Sequence, residues 1–229
     1  MIEDPPVITM RRRFARPSGA QIDALRGAMT GHLVDAMGGH GGLPWSIKPV
    51  IPEQANFCGV ALTSHPGPAD NLATFAALDL AQPGDVIVAA TDGYMGTAVT
   101  GDLLLGMMRN CGVVAFVTDG CVRDTPGIRG VGLPCHAAGV TPNSPVRNRP
   151  GTVGLPVTLG GVSIASGDIL VGDLDGVVVV PFARIDAVIA ALEIVRKAEA
   201  ALEAKVQAGL KIPDFISSLL AGPSVRNVD

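Results

Sequence analysis

The chain has 229 residues, of which 48% are hydrophobic, 17% charged and 3% aromatic, with a formal net charge of −4 and a pI near 5.5. So few aromatics offer no stacking platform for single-stranded nucleic acid, and the acidic balance argues against a non-specific phosphate-binding surface. With 29 Gly, 18 Pro and a mean hydropathy of +0.40, the composition is that of a turn-rich fold with much buried surface, part of it between subunits.

The opening MIEDPPVITMRRRFARP carries basic residues but no apolar stretch after them, so it is not a secretory signal. Ser18 is placed to cap a helix over 21–37, with Ile22, Leu25, Met29, Leu33 and Met37 at helical spacing and GGHGG at 38–42 as its stop. Asp70 is placed to cap a second helix, NLATFAALDLA, closed by Pro83-Gly84. DVIVAA (85–90) and GVVAFVTDG (112–120) read as buried strands, with a third helix over 97–110 between them. GLPVTLGGVSIASGDILVGDLDGVVVVP is dense in short strands and turns, a long helix over 182–208 follows Pro181, and the tail is short and mixed. PGDVIVAATDG (83–93) and SGDILVGDLDG (166–176) echo one another, and read as two ordinary strand-plus-turn units. The alternation predicts one compact α/β domain. No apolar run approaches the roughly 20 residues that span a bilayer, and a cytoplasmic location is expected.

Cys58, Cys111, Cys121 and Cys135 form no CxxC pair, and His32, His40, His65 and His136 show no HxxxH or HExxH spacing. There is no GxSxG elbow, P-loop or GxGxxG after a strand. Elbow-type serine hydrolases, P-loop enzymes and nucleotide- or SAM-binding Rossmann domains are therefore disfavoured.

Three features carry candidate chemistry. In VTDGCVRDTP (117–126) a strand ends in Arg123-Asp124. The pair is either a surface salt bridge on a turn, or a site in which the arginine fork holds an anion and the aspartate a hard divalent cation. In GDLLLG (101–106), a helix starting near Gly101 leaves the N–H groups of Leu103 and Leu104 without intrahelical partners, with Asp102 as a first-turn acid. That is an anion site or simply a capped amphipathic helix. The third feature is the stripe Ile185, Val188, Leu192, Val195, Leu202, Val206, whose missing position is Glu199. Either the helix has rolled into water there, or Glu199 faces a polar cavity or a subunit interface, because a bare carboxylate facing a core is costly.

The run GDLLLGMMRNCGVVAFVTDGCVRDTPGIRGVGLPCHAAGV, followed by GGVSIASGDILVGDLDGVVVVP, resembles the RraA-like superfamily. That group holds the 4-hydroxy-4-methyl-2-oxoglutarate / 4-carboxy-4-hydroxy-2-oxoadipate aldolases and the regulators of ribonuclease E activity. The ordered motifs G-D-L-L, D-G-x-x-R-D and G-D-x-x-x-x-D-x-D-G-V-V-V-V-P carry the resemblance, which covers roughly 70–208. It implies a single-domain α-β-β-α sandwich of the swivelling β/β/α type over 1–229, with the 182–208 helix reaching a neighbouring subunit of a homotrimer or homohexamer. It also implies that Asp124 binds Mg²⁺ or Mn²⁺ and that Arg123 holds the carboxylate or keto oxygen of a pyruvyl group. The N–H groups of Leu103 and Leu104, after Gly101, would receive the substrate carboxylate, and Asn71 would line the site. Asp102 and Glu199 of the neighbouring subunit would hold metal-bound water. The turn HPGPADN departs from the shorter Pro-Gly-Asp-Asn-like turn that the family leads one to expect.

The implied reaction is retro-aldol cleavage of a small oxo acid to pyruvate, with oxaloacetate decarboxylation through the same enolate. The few, mostly late lysines offer no obvious Schiff base. No nucleic-acid or membrane partner is implied. The alternative is a non-enzymatic regulator that binds a protein; regulators generally end soon after the strand-rich region and lack the helix glutamate. A methyltransferase is disfavoured by the missing SAM loop.

Overall fold

The computed structural model describes residues 7–226 and 228. It divides into two compact units, Met1–Leu192 and Glu193–Asp229. The strands are Ile8–Met10 (β1), Lys48–Pro49 (β2), Phe57–His65 (β3), Asp85–Ala89 (β4), Ala98–Thr100 (β5), Ala115–Thr118 (β6) and Cys121–Val122 (β7). They continue with Cys135–Ala137 (β8), Gly139–Val140 (β9), Gly151–Val153 (β10), Val157–Leu159 (β11), Val162–Ile164 (β12), Ile169–Gly172 (β13) and Val177–Val180 (β14). The helices are Gly19–Leu25 (α1), Thr30–Ala36 (α2), Leu72–Ala76 (α3), Asp102–Asn110 (α4), Thr125–Val131 (α5), Ile185–Gln207 (α6) and Asp214–Leu220 (α7).

Strand β3 is the spine of the first unit. One edge pairs in parallel with β4, and the other pairs antiparallel with β13 and then β10. Beyond β4 the sheet runs through β6 and β8, and β14 pairs with β13.

Successive side chains on these strands enter different cores, as a pleated backbone requires. Leu62, Ile87 and Phe116 pack with Leu105 and Met108 of α4 and Ile128 of α5. Their neighbours Ala61, Val86, Val88 and Val117 enter a middle cluster with Leu170, Val177 and Val179. Ile169, Val171, Val178 and Val180 enter a third cluster with Leu25 of α1, Leu33 of α2 and Val188 and Leu192 of α6. Two helical layers thus enclose two sheet layers, and the first unit is one α-β-β-α sandwich domain. With both faces covered, VIVA (86–89) and VVVV (177–180) are unbroken hydrophobic runs rather than alternating ones. Phe116 is fully buried, and its truncation to Ala should cost about 3–5 kcal/mol.

Several elements differ from the sequence reading. Ser18 caps as expected, in a capping box with Gln21, but the helix over 21–37 is two helices. Arg26 is extended and Gly27 has φ of 71°, a left-handed turn that leaves Met29 58% exposed between α1 and α2. The helix over 97–110 begins only at Asp102, because Ala98–Thr100 is a strand. The second helix is cut to α3 and a 3-10 turn, and a 3-10 turn at Phe182–Arg184 precedes α6. The echoing turns do share a device: Asp85 and Asp168 each accept from the N–H three residues back. Their strands nonetheless flank β3 on opposite edges, one parallel and one antiparallel, so they are not a repeat.

In the second unit, α6 continues to Gln207 and α7 follows, with no buried residue among those described. Among the described residues no helix is long and apolar enough to cross a membrane. The four cysteines are free. Burial pushes the thiols of Cys58 and Cys135 up to about 11 and about 12, which suits packing rather than reactivity.

Candidate active site

Three strands of two or three residues form a small parallel sheet in the order β5-β7-β9. Each of their carboxyl ends opens into a wall of one pocket. Strand β5 leads to Gly101 and α4, β7 to Arg123, Asp124 and α5, and β9 to the loop 141–150. The pairing Thr100↔Val122 sets Gly101-Asp102 beside Arg123-Asp124, and the Arg123 N–H donates to the Thr100 carbonyl at 3.1 Å. The next pairing is fixed by the Thr141 N–H, which donates to the Val122 carbonyl at 3.0 Å. The carboxyl ends of parallel strands are where α/β folds commonly place ligands. The pocket has a volume of about 330 Å³, and its walls include Asn71, Gly101, Asp102, Leu103, Leu104, Arg123 and Asp124. Every site residue named from the sequence except Glu199 therefore lies on it.

Asp124 is the N-cap of α5 in the left-handed region (φ 62°, ψ 43°), yet its side chain makes no capping bond. Asp tolerates this conformation better than most residues, and strain of this kind gathers at functional sites. The carboxylate instead meets the Arg123 Nε at 3.3 Å, and Arg123 Nη1 donates to the Ser144 hydroxyl at 2.5 Å. The Arg123 and Asp124 side chains are 33% and 46% exposed, so the pair adds at most about 1 kcal/mol of stability. Its importance is positional. Gly101 is extended, and a Cβ there would collide with the Asp124 carboxylate and crowd the Arg123 stem.

Asp102 opens α4 as foreseen, but its Oδ1 accepts from the Leu103 N–H at 2.7 Å. Of the two amides expected to await a ligand, only that of Leu104 has no acceptor among the described residues. The Asp102 carboxylate also lies against Gly127, where a Cβ would collide with it.

Asn71 is in the pocket wall despite the longer HPGPADN turn. Its Nδ2 donates to the Val99 carbonyl at 3.0 Å, and its Oδ1 accepts from Arg147 Nε at 3.2 Å. The buried Asp70 does more than a helix cap. Its Oδ1 accepts from the Leu72 N–H at 2.7 Å, while its Oδ2 accepts from the Asn148 and Arg149 N–H groups at 2.9 and 3.0 Å. That clamp fixes the loop carrying Ser144, Pro145 and Arg147, which the sequence reading passed over. The available signal was a polar, Pro-rich segment following a strand one step beyond Arg123-Asp124.

Burial along α6 stops at Leu192, and Glu199 is exposed together with Leu202 and Val206 of the same stripe. Of the readings left open for Glu199, the single chain shows the carboxylate on a surface face, because the stripe there covers no core of its own chain. Glu199 belongs to the second unit, whereas the pocket is built from the first.

The sandwich thus brings two carboxylates and two arginines to one pocket at the carboxyl ends of adjacent strands. Residues 30–179 match the RraA-like model (Aldolase/RraA), and the chain belongs to that family. It is 37% identical over 167 residues, 72% of this chain and 79% of the relative, to a Halalkalibacterium halodurans protein named "Putative 4-hydroxy-4-methyl-2-oxoglutarate aldolase". An uncharacterized protein from Pseudomonas syringae pv. tomato matches with a TM-score of 0.77 at 26% identity, over 87% of this chain and 93% of that one. The RNA-processing inhibitor RraA from Thermus thermophilis matches with a TM-score of 0.62 at 28% identity, over 67% and 93%.

Proposed function

We propose that the protein is a divalent-metal-dependent carbon–carbon lyase that cleaves a 4-hydroxy-2-oxo dicarboxylic or tricarboxylic acid to pyruvate and a second oxo acid, and also decarboxylates oxaloacetate. The observation that carries the reading is the meeting of Asp102, Arg123 and Asp124 in one pocket. The aldolase name of the Halalkalibacterium relative supports it.

Mg²⁺ or Mn²⁺ would be held by Asp124, with Asp102 turned to its water. The donors suit a hard cation: they are carboxylate oxygens, and Asp124 is spared from capping its helix. Among the described residues no three His, Cys, Asp or Glu stand together, so water and substrate would have to complete the ion's shell. When bound, the ion would supply Lewis acidity to the keto and carboxylate oxygens.

The protein's own groups do the rest. The Leu104 N–H, at a helix N-terminus, receives the substrate carboxylate. Arg123, braced by Ser144 and Asp124, sets fixed positive charge where the C2 oxygen becomes anionic. The C4 hydroxyl proton leaves to a water oriented by Asp102 and by Glu199 of the neighbouring subunit. The C3–C4 bond then breaks, its electron pair forms the enolate of pyruvate, and C3 is protonated. No lysine is among the pocket residues, so a Schiff base has no candidate.

The neighbouring subunit belongs to a homotrimer or homohexamer. Leu103, 78% exposed at the pocket mouth beside the half-exposed Met107, is an apolar rim that a subunit contact would cover. A second reading, a regulator that binds a protein, draws on the likeness to the Thermus inhibitor.

The deciding assay is pyruvate release from oxaloacetate and from 4-hydroxy-4-methyl-2-oxoglutarate, after EDTA treatment and with Mg²⁺ or Mn²⁺ restored. Release that depends on the metal is expected. No release from either substrate with either metal overturns the lyase reading, and release in EDTA overturns the metal dependence.

A further inference from the structure

The pocket holds a second guanidinium that the chemistry above leaves idle. Arg147 lines the same 330 Å³ cavity as Arg123. It is an exposed loop residue, yet it is held from three sides. Its Nε donates to Asn71 Oδ1 at 3.2 Å, and Asn71 is itself fixed on the Val99 carbonyl. Its guanidinium carbon stands 5.1 Å from the centre of the Phe75 ring. Its backbone is pinned by the Asp70 clamp and by Val146, which exchanges hydrogen bonds with Ala69 and Asn71. Among the described residues, the Nη atoms of Arg147 have no acceptor. A positioned fork without a protein acceptor matches a carboxylate.

Charge gives the same result. The pocket walls carry Asp102 and Asp124 against Arg123 and Arg147. Arg123 pairs with Asp124 and reaches Ser144, whereas Arg147 is held on Asn71 and stands over the Phe75 ring. The two cations are thus held by different walls of the cavity.

We propose that Arg147 is the specificity-determining residue of this site, binding the carboxylate at the far end of an oxo acid whose pyruvyl end lies at Arg123. This rests on the lyase reading for the pyruvyl end. A substrate with a methyl group at the far end leaves this guanidinium without its carboxylate partner, and a site built to pair a polar group discriminates against the analogue that lacks it.

The test compares two substrates that differ at the far end, 4-hydroxy-4-methyl-2-oxoglutarate and 4-hydroxy-2-oxopentanoate, in wild type, Arg147→Met and Arg147→Lys. The wild type should favour the dicarboxylate by at least about tenfold in kcat/KM, with Arg147→Met removing most of that preference and Arg147→Lys restoring part. Exchange of the pyruvate C3 protons, which needs only the near end, should stay within about threefold in all three proteins. An unchanged preference, or an equal loss on both substrates and on proton exchange, overturns the proposal. If the wild type turns over no oxo acid, the lyase reading fails, and calorimetry with 2-oxoglutarate and 2-oxopentanoate still decides on Arg147. Tighter binding of 2-oxoglutarate, abolished by Arg147→Met, supports the proposal, and equal binding overturns it.

Discussion

The carboxylate of Asp102 lies in the space that a side chain at Gly127 would take, and Asp124 lies in the same way against Gly101. Each acid of the pocket is seated on a glycine of the other acid's segment. Gly127→Ala should therefore push Asp102 aside and lower kcat/KM for pyruvate release by at least about tenfold. Gly130→Ala in the same short helix meets open space, so it should keep full activity and gain about 1 kcal/mol of stability. Steady-state rates beside thermal melting check both. Full activity in Gly127→Ala would show that the seating of Asp102 is irrelevant to catalysis.

Arg123→Lys keeps the charge and loses the planar fork that reaches Ser144 and Asp124 together. The expected loss in kcat/KM is at least about tenfold, roughly 1.4 kcal/mol of transition-state stabilisation. Wild-type kcat/KM in this variant would reduce Arg123 to a point charge.

Glu199→Ala should abolish turnover while leaving the oligomer and the melting temperature unchanged, because α6 buries no residue beyond Leu192. Gel filtration and melting, run beside the assay, separate a role in the site from a role in packing. Retained turnover would remove Glu199 from the mechanism.

The pH dependence of stability should carry a signature of His136. Its ring is fully buried, packs edge-on to Phe57 at 5.2 Å, and donates from Nε2 to the Asp173 carbonyl at 3.1 Å. Burial pushes its pKa below the usual 6.5, outweighing the pull of Asp173. A depressed pKa means that the unfolded chain takes up the proton first. The stabilisation is complete above about pH 6.5 and is lost as the pH falls towards the lower native value. His136→Gln keeps a donor and does not titrate, so its melting temperature should fall less between about pH 7 and about pH 5. Identical slopes for the two proteins would mean that other groups set the acid limit.

The reactive types were legible in the sequence because chemistry selects them. Arg beside Asp after a strand, and Asp after Gly at a helix start, each announce themselves locally. Their proximity was carried only by the family resemblance and not by local pattern, because it is made by pairings such as Thr100↔Val122 in strands of two or three residues, too short for any periodicity. Arg147 was hidden for the same reason: its loop has no pattern, and its wall is closed by Asp70, whose local signature is that of a helix cap. The split between α1 and α2 was masked because Leu25 and Leu33 keep helical spacing across a left-handed Gly27.

The floor of the pocket is a socket with three plugs. Gly101 to α4 is the first, Arg123-Asp124 to α5 the second, and the loop 141–150 the third, each entering from its own strand. The third plug leads to β10, which lies between β1 and β3, and lengthening it costs only about 0.6 kcal/mol per doubling of loop length. Its first half is tied to the other two, because Asn143 bonds β5 and Ser144 braces Arg123, whereas its second half, from Arg147 on, is tied to the Asp70 clamp. Under the proposed function, exchange at Arg147 alone then changes which molecules the site accepts while the Arg123 end keeps its seat.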